Sequence, residues 1–358
     1  MKKRNGNIEL LRAVFALGIL FLHTNLSYFH CRGGYLGVEF FFIVTGIFMG
    51  QKLHSGSDNM TWEEAVTDSS NEVKARIKAI FPLLTVSTLI GLGVRFLTGM
   101  EKAESLTYVL GDLFLVQSAG FYVLSATGTV WYLCALFMAL WLIGPVARKQ
   151  YRIYTEYAAP LLVPVSMGVL TRRYGSLDCP NEMLFGWINT GVVRAVSMIS
   201  LGMLVYEISV RLRQTTLTDF ARRLCTFGEI FLYFTVFLHI VFYKTTNPFF
   251  GGVDGIIVLC LGLAMVITES GQSYLDGRFD HPVVYFLGKF SSVLFLNHYY
   301  WVKKMPMIFQ RFSLDIDKDT AKLCGIAAAF VTSFMVYILM KYKDMALKKL
   351  RECLVTER

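Results

Sequence analysis

The chain has 358 residues, 54% hydrophobic and only 17% charged, with a positive mean hydropathy, which is too apolar for an ordinary soluble domain. Its formal net charge of +9 does not point to nucleic acid, because the lysines and arginines sit in short clusters between apolar runs, as topology signals do. These features predict an all-α integral membrane protein, a single membrane-embedded domain over residues 1–358.

At the N-terminus, MKKRNGN precedes an apolar run, but the exit SYFHCRGG offers no small-x-small cleavage pattern, so the segment is predicted to be a retained first helix. Spans are predicted at Ile8 to Tyr28, Tyr35 to Gly50, Phe81 to Thr98, Thr129 to Val146 and Tyr157 to Thr171. The pattern continues at Thr190 to Ile208, Phe227 to Tyr243, Val253 to Thr268, Pro282 to Trp301 and Lys322 to Tyr342, about ten crossings in all. Before the third span, NMTWEEAVTDSSNEVKARIKAIF reads as a cytoplasmic amphipathic helix that runs into the crossing at Pro82.

The segment from Leu106 to Leu124 is decided by charge. The basic clusters at 2–4, 74–78, 148–152, 211–223 and 341–351 all face the cytoplasm only if this segment does not cross. It is therefore predicted to be re-entrant or interfacial, with both termini cytoplasmic.

Polar residues inside the spans carry the functional signal, because an intramembrane charge costs a few kcal/mol or more. Arg12 and His23 lie eleven residues apart in the first helix, which places them within roughly 20° of one face and about 16 Å apart along the axis. Glu39, Arg95, Trp131, Arg194, His239, Asp254 and His298 all fall near the outer ends of their spans, and shared depth predicts one shared cavity. Snorkelling or capping is the simpler expectation for Arg95, Arg194 and Asp254, and a satisfied core histidine for His239. The glycines of GGYLGVEFFFIVTGIFMG are explained by close helix packing, whereas Glu39 within it is not; its carboxylate is suited to fix the tautomer of an imidazole. Cys31 and Cys179 both fall in outer loops, either bridged or as two unrelated thiols.

Arg12, ten intervening residues and His23, followed by GYLGVEFFFIVTGIFMG, resemble the opening of membrane acyltransferase family 3, which includes bacterial O-acetyltransferases of surface polysaccharides. Weaker matches follow in order, in KARIKAIFPLL, TVWYLCALFMALWLIGP, RAVSMISLGMLVYE and FLGKFSSVLFLNHYYW. The sequence departs from the family at Glu39, where Asp is frequent, at Thr45, where Ser is usual, and in FSSVLFLNH, which lacks the Tyr after Ser.

The resemblance implies an O-acyltransferase, most simply an O-acetyltransferase, in the bacterial cytoplasmic membrane. It implies transfer from cytoplasmic acyl-CoA to a hydroxyl of a surface glycan or its lipid-linked precursor. His23 is then a general base or transient acyl carrier, and Arg12 meets a donor phosphate or carbonyl oxygen. His298 and Glu39 orient His23 or the acceptor, Lys74, Arg76 and Lys78 meet the phosphates of CoA, and Trp131 and Arg194 are further substrate contacts. No bound cofactor or metal is expected, and self-association or glycan-assembly partners stay open. The alternative is an exporter of a polysaccharide or small acid, which a polar cavity serves equally well. The absence of a clear internal repeat with matching broken helices favours the enzyme.

Overall fold

The computed structural model describes residues 5–54, 60–99, 102–120, 125–243 and 253–356. Five helices build the first half: α1 Gly6–Thr24, α2 Leu36–Leu53, α3 Trp62–Leu97, α4 Lys102–Leu113 and α5 Trp131–Lys149. Six more follow: α6 Tyr151–Tyr174, α7 Thr190–Arg213, α8 Asp219–Phe242, α9 Val253–Ser270, α10 Pro282–Arg311 and α11 Lys318–Thr356. A two-residue hairpin, β1 Met183–Leu184 with β2 Ile188–Asn189, precedes α7.

Nine of these helices, all but α4 and α10, are long and apolar enough to cross a membrane. Lysines at 289, 303 and 304 make α10 more polar, yet its 30 residues rise about 45 Å. It is the tenth crossing, because its two ends meet opposite ends of the bundle. Just before Pro282, Asp280 accepts a hydrogen bond from the Gly6 amide at the start of α1, while Arg311 donates to Phe96 O at the far end of α3. Helix α4 has 12 residues and rises only about 18 Å, so it does not span. It ends on a 3-10 turn, Gln117–Ala119, consistent with a re-entrant piece; residues 121–124 of that segment lie outside the described residues.

Side-chain bonds at the two ends agree with one cytoplasmic face. Arg148 at the end of α5 pairs with Asp68 (2.6 Å) and Glu72 (2.5 Å) on the first turns of α3, and Lys52 at the end of α2 reaches Glu72 at 2.8 Å. His54 and Tyr151 both meet Glu207 on α7. The basic clusters of α3, α5 and α7 thus lie together; the first, MKKR, lies outside the described residues. At the opposite end Lys322 of α11 donates to Asn25 O (2.7 Å), just past α1.

The amphipathic stretch and the third span form one continuous helix, α3, with Pro82 inside it. It begins with a capping box, in which Thr61 accepts from the Glu64 amide and the Glu64 carboxylate accepts from the Thr61 amide. In lipid no hydrophobic force drives helices together, so close contact and dispersion must do it. Among the described glycines the closest approach to another helix's backbone is α2 on α7: a Cβ added at Gly46 would lie 2.0 Å from Ile199 O, and one at Gly202 would lie 2.1 Å from Ile43 O.

Candidate active site

Helices α1 and α10 run side by side and place the predicted residues in two groups. Towards the cytoplasm, Arg12 donates to Glu9 Oε2 (3.2 Å) and to Ser292 Oγ on α10 (2.8 Å). Towards the outside, the rings of His23 and His298 stack with centroids 5.4 Å apart, and Tyr299 stands edge-on to His23 at 4.8 Å.

The backbone fixes the tautomer of His298. Its Nδ1 lies 2.9 Å from Phe295 O and 3.1 Å from Leu294 O, and carbonyls only accept, so Nδ1 carries the proton. In the neutral ring Nε2 is left with its lone pair, buried and with no hydrogen-bond partner among the described residues. That is the electronic state of a general base.

A cavity of about 290 Å³ opens at the first group. Arg12, Arg76 and Ser292 line it, with Thr45 and Tyr132, and its aromatic wall includes Phe41 and Phe295. The Phe295 ring is 6.1 Å from that of His298, and neither histidine lines the cavity. Two vestibules adjoin it. One, about 730 Å³, shares Arg12 and Phe48 with the cavity and is lined by Gln51, Arg213, Glu269 and Gln272. The other, about 890 Å³, shares Ser292 with it and carries four lysines, Lys78, Lys289, Lys341 and Lys343, the last paired with Asp344 at 3.2 Å.

Of the predicted phosphate contacts, Lys78 lines the lysine vestibule and Arg76 the cavity, where it also holds Glu72 at 2.7 Å. Lys74 is exposed on α3 and lines none of the three.

None of the cavities described above is lined by the whole set of polar groups that share the outer depth. Depth along a helix does not fix the direction a side chain faces, and these groups face different helix contacts. Glu39 does not orient an imidazole: both its oxygens accept from Arg194, at 2.7 and 2.9 Å, in a pair that is fully buried between α2 and α7. Trp131 lies under the same guanidinium at 5.3 Å, so Trp131 and Arg194 lie apart from the histidines. Neither Arg194 nor Asp254 snorkels, each being 1% exposed. Asp254 instead accepts from Tyr35 Oη (2.7 Å) and the Leu177 amide (2.7 Å), with His239 Nε2 3.3 Å away. Cys31 and Cys179 are free thiols, both buried, and burial pushes the Cys179 thiol up to about 11.

Sequence reasoning missed Glu9, Ser292 and Lys289. Glu9 and Arg12 at i and i+3 were a readable signal; Lys289, one helical turn before Ser292 and Val293, was hidden in a span read for its apolar residues.

A family model described as an acyltransferase domain matches residues 5–342. No curated protein and no solved structure matches the chain.

Proposed function

Since the chain belongs to membrane acyltransferase family 3 and is a multi-pass membrane acyltransferase, we propose that it transfers an acyl group, most simply acetyl, from cytoplasmic acyl-CoA to a hydroxyl of a surface glycan or its lipid-linked precursor. The observation that carries this reading is the cavity that starts at Arg12 on the cytoplasmic side and reaches Phe295, whose ring lies 6.1 Å from a buried imidazole with a free Nε2. The bacterial cytoplasmic membrane is the setting it implies.

The lysine vestibule suits the phosphates of CoA, which ammonium groups bind by charge-assisted hydrogen bonds. From there the pantetheine arm extends through the cavity, past Arg12 and Ser292, towards Phe295. Arg12 therefore serves donor binding and alignment rather than the reacting carbonyl. At the outer end, His298 Nε2 takes the proton of the acceptor hydroxyl as its oxygen attacks the thioester carbonyl. The C–S bond then breaks, the ester leaves on the acceptor, and the proton passes from the imidazolium to the departing CoA thiolate. His23, stacked on His298, lies where the attacking hydroxyl arrives.

The test is transfer of labelled acetyl from acetyl-CoA to extracted surface glycan by membranes carrying wild type, His23→Ala or Arg12→Ala at matched protein levels. Label with wild type and none with either variant is expected. Glycan export that depends on the protein, without acetyl-CoA consumption, would identify an exporter instead.

A further inference from the structure

We propose that the short loop at residues 125–128, gripped by Asp112 and Arg95, is a positioning device for the histidine pair, acting through Tyr299. The inference rests on the reading of His23 and His298 as the reacting pair.

Buried loop backbone must find partners within the protein. Here the partners come from two sides. The Asp112 carboxylate, fully buried at the end of α4, accepts from the Thr127 amide (3.0 Å) and Ser125 Oγ (2.7 Å), and also from Gln117 (2.8 Å) and Thr88 (3.4 Å). Arg95 of α3 takes the carbonyls, donating to Ser125 O at 2.5 Å and to Ala126 O at 3.4 Å, while its guanidinium lies over the Tyr108 ring at 4.4 Å. The Gly128 amide closes the turn on Ser125 Oγ at 2.7 Å.

Gly128 is where this clamp meets the site. Its φ is +75°, a conformation that glycine adopts without strain. A Cβ there would lie 2.1 Å from Cδ1 of Tyr299, so the bare backbone lies against the ring. Tyr299 in turn stands edge-on to His23, which stacks on His298. The contacts run without a gap from Asp112 and Arg95, through the loop and Tyr299, to the imidazoles.

A loop that only had to close would not need a buried carboxylate. Asp112 is satisfied by neutral donors, and an ionisable group at this depth is costly unless it has work to do. Reaction geometry gives it that work, because a misplacement of about 1 Å can cost about a hundredfold in rate.

The experiment uses purified protein in lipid nanodiscs with four variants: Gly128→Ala, Tyr299→Ala, their double, and Asp112→Asn. Two readouts are taken, kcat against KM for acetyl-CoA, and the rate at which diethyl pyrocarbonate modifies His23, located by mass spectrometry. The second needs no acyl transfer. Gly128→Ala and Tyr299→Ala should each lower kcat roughly tenfold to a hundredfold, leave KM for acetyl-CoA unchanged and speed modification of His23. Gly128→Ala should cost less in the Tyr299→Ala background than in wild type, since the new methyl enters the space that the ring vacates and only the backbone strain at φ +75° remains. Asp112→Asn should shift both readouts in the same direction.

If Gly128→Ala costs as much in the Tyr299→Ala background as in wild type, or if neither it nor Asp112→Asn alters His23 modification, the proposal is overturned. Should Gly128→Ala not fold, Asp112→Asn carries the test: faster modification of His23 supports the coupling and an unchanged rate overturns it. Should wild type move no acetyl, the acyl-transfer reading falls, while the modification rates still decide whether the loop positions His23.

Discussion

Arg12 lines the cavity and His298 lies behind its Phe295 wall, so their substitutions should separate in kinetics. The imidazole does not line the cavity, and its Nδ1 is committed to backbone carbonyls, which leaves Nε2 for proton transfer. His298→Gln removes that base and should lower kcat by about 10²–10⁴-fold with KM for acetyl-CoA unchanged. Arg12 lines both the cavity and the 730 Å³ vestibule and is held by Glu9 and Ser292. Arg12→Lys keeps the charge but cannot reproduce the fork, so it should raise KM for acetyl-CoA more than it lowers kcat. Steady-state kinetics on both variants check this; a fall in kcat alone for Arg12→Lys would move the arginine to the reacting carbonyl.

Among the helices, α2 and α7 share the closest backbone approach and the most deeply buried ion pair. Gly46 and Gly202 let the backbones touch, and between the same two helices Glu39 and Arg194 pair through two hydrogen bonds with Trp131 beside the guanidinium. Removing one partner strands a buried charge and typically costs about 3–5 kcal/mol, whereas replacing both by apolar residues often costs little. Arg194→Met should therefore lower the Tm of the detergent-solubilised protein sharply, and Glu39→Leu with Arg194→Met should restore most of it. A double variant as unstable as the single would show that the pair does more than satisfy itself, and would return Glu39 and Arg194 to the chemistry.

The same helices show what a single sequence displays. The spans were legible because composition and length define them, and Arg12 with His23 because both lie within one helix, where spacing fixes the face. The partner of Glu39 is 155 residues away, and no periodicity connects positions so distant. Asp112 was equally hidden: its donors are a loop amide and three neutral side chains, which assemble only when α4 fails to cross and the chain turns back on itself.

For the molecule as a whole, everything rests on orientation, because a donor from the cytoplasm and an acceptor from outside need the lysine vestibule and the histidines on opposite sides. Orientation hangs on α4. If that 12-residue helix and its continuation crossed, every later helix would invert, and Lys289, Lys341 and Lys343 would part from Lys78 of α3, so the lysine vestibule would not form. Two exposed loop positions report this directly: Ser313 between α10 and α11, and Gln150 between α5 and α6. With ten crossings, Ser313→Cys should react with a membrane-impermeant maleimide on intact cells, and Gln150→Cys only after permeabilisation. Buried Cys31 and Cys179 add little background, and the raised Cys179 thiol holds almost no thiolate at neutral pH. The reverse pattern would put the face that holds Gln150, the Arg148 pairs and the lysine vestibule outside, where no cytoplasmic CoA could reach it.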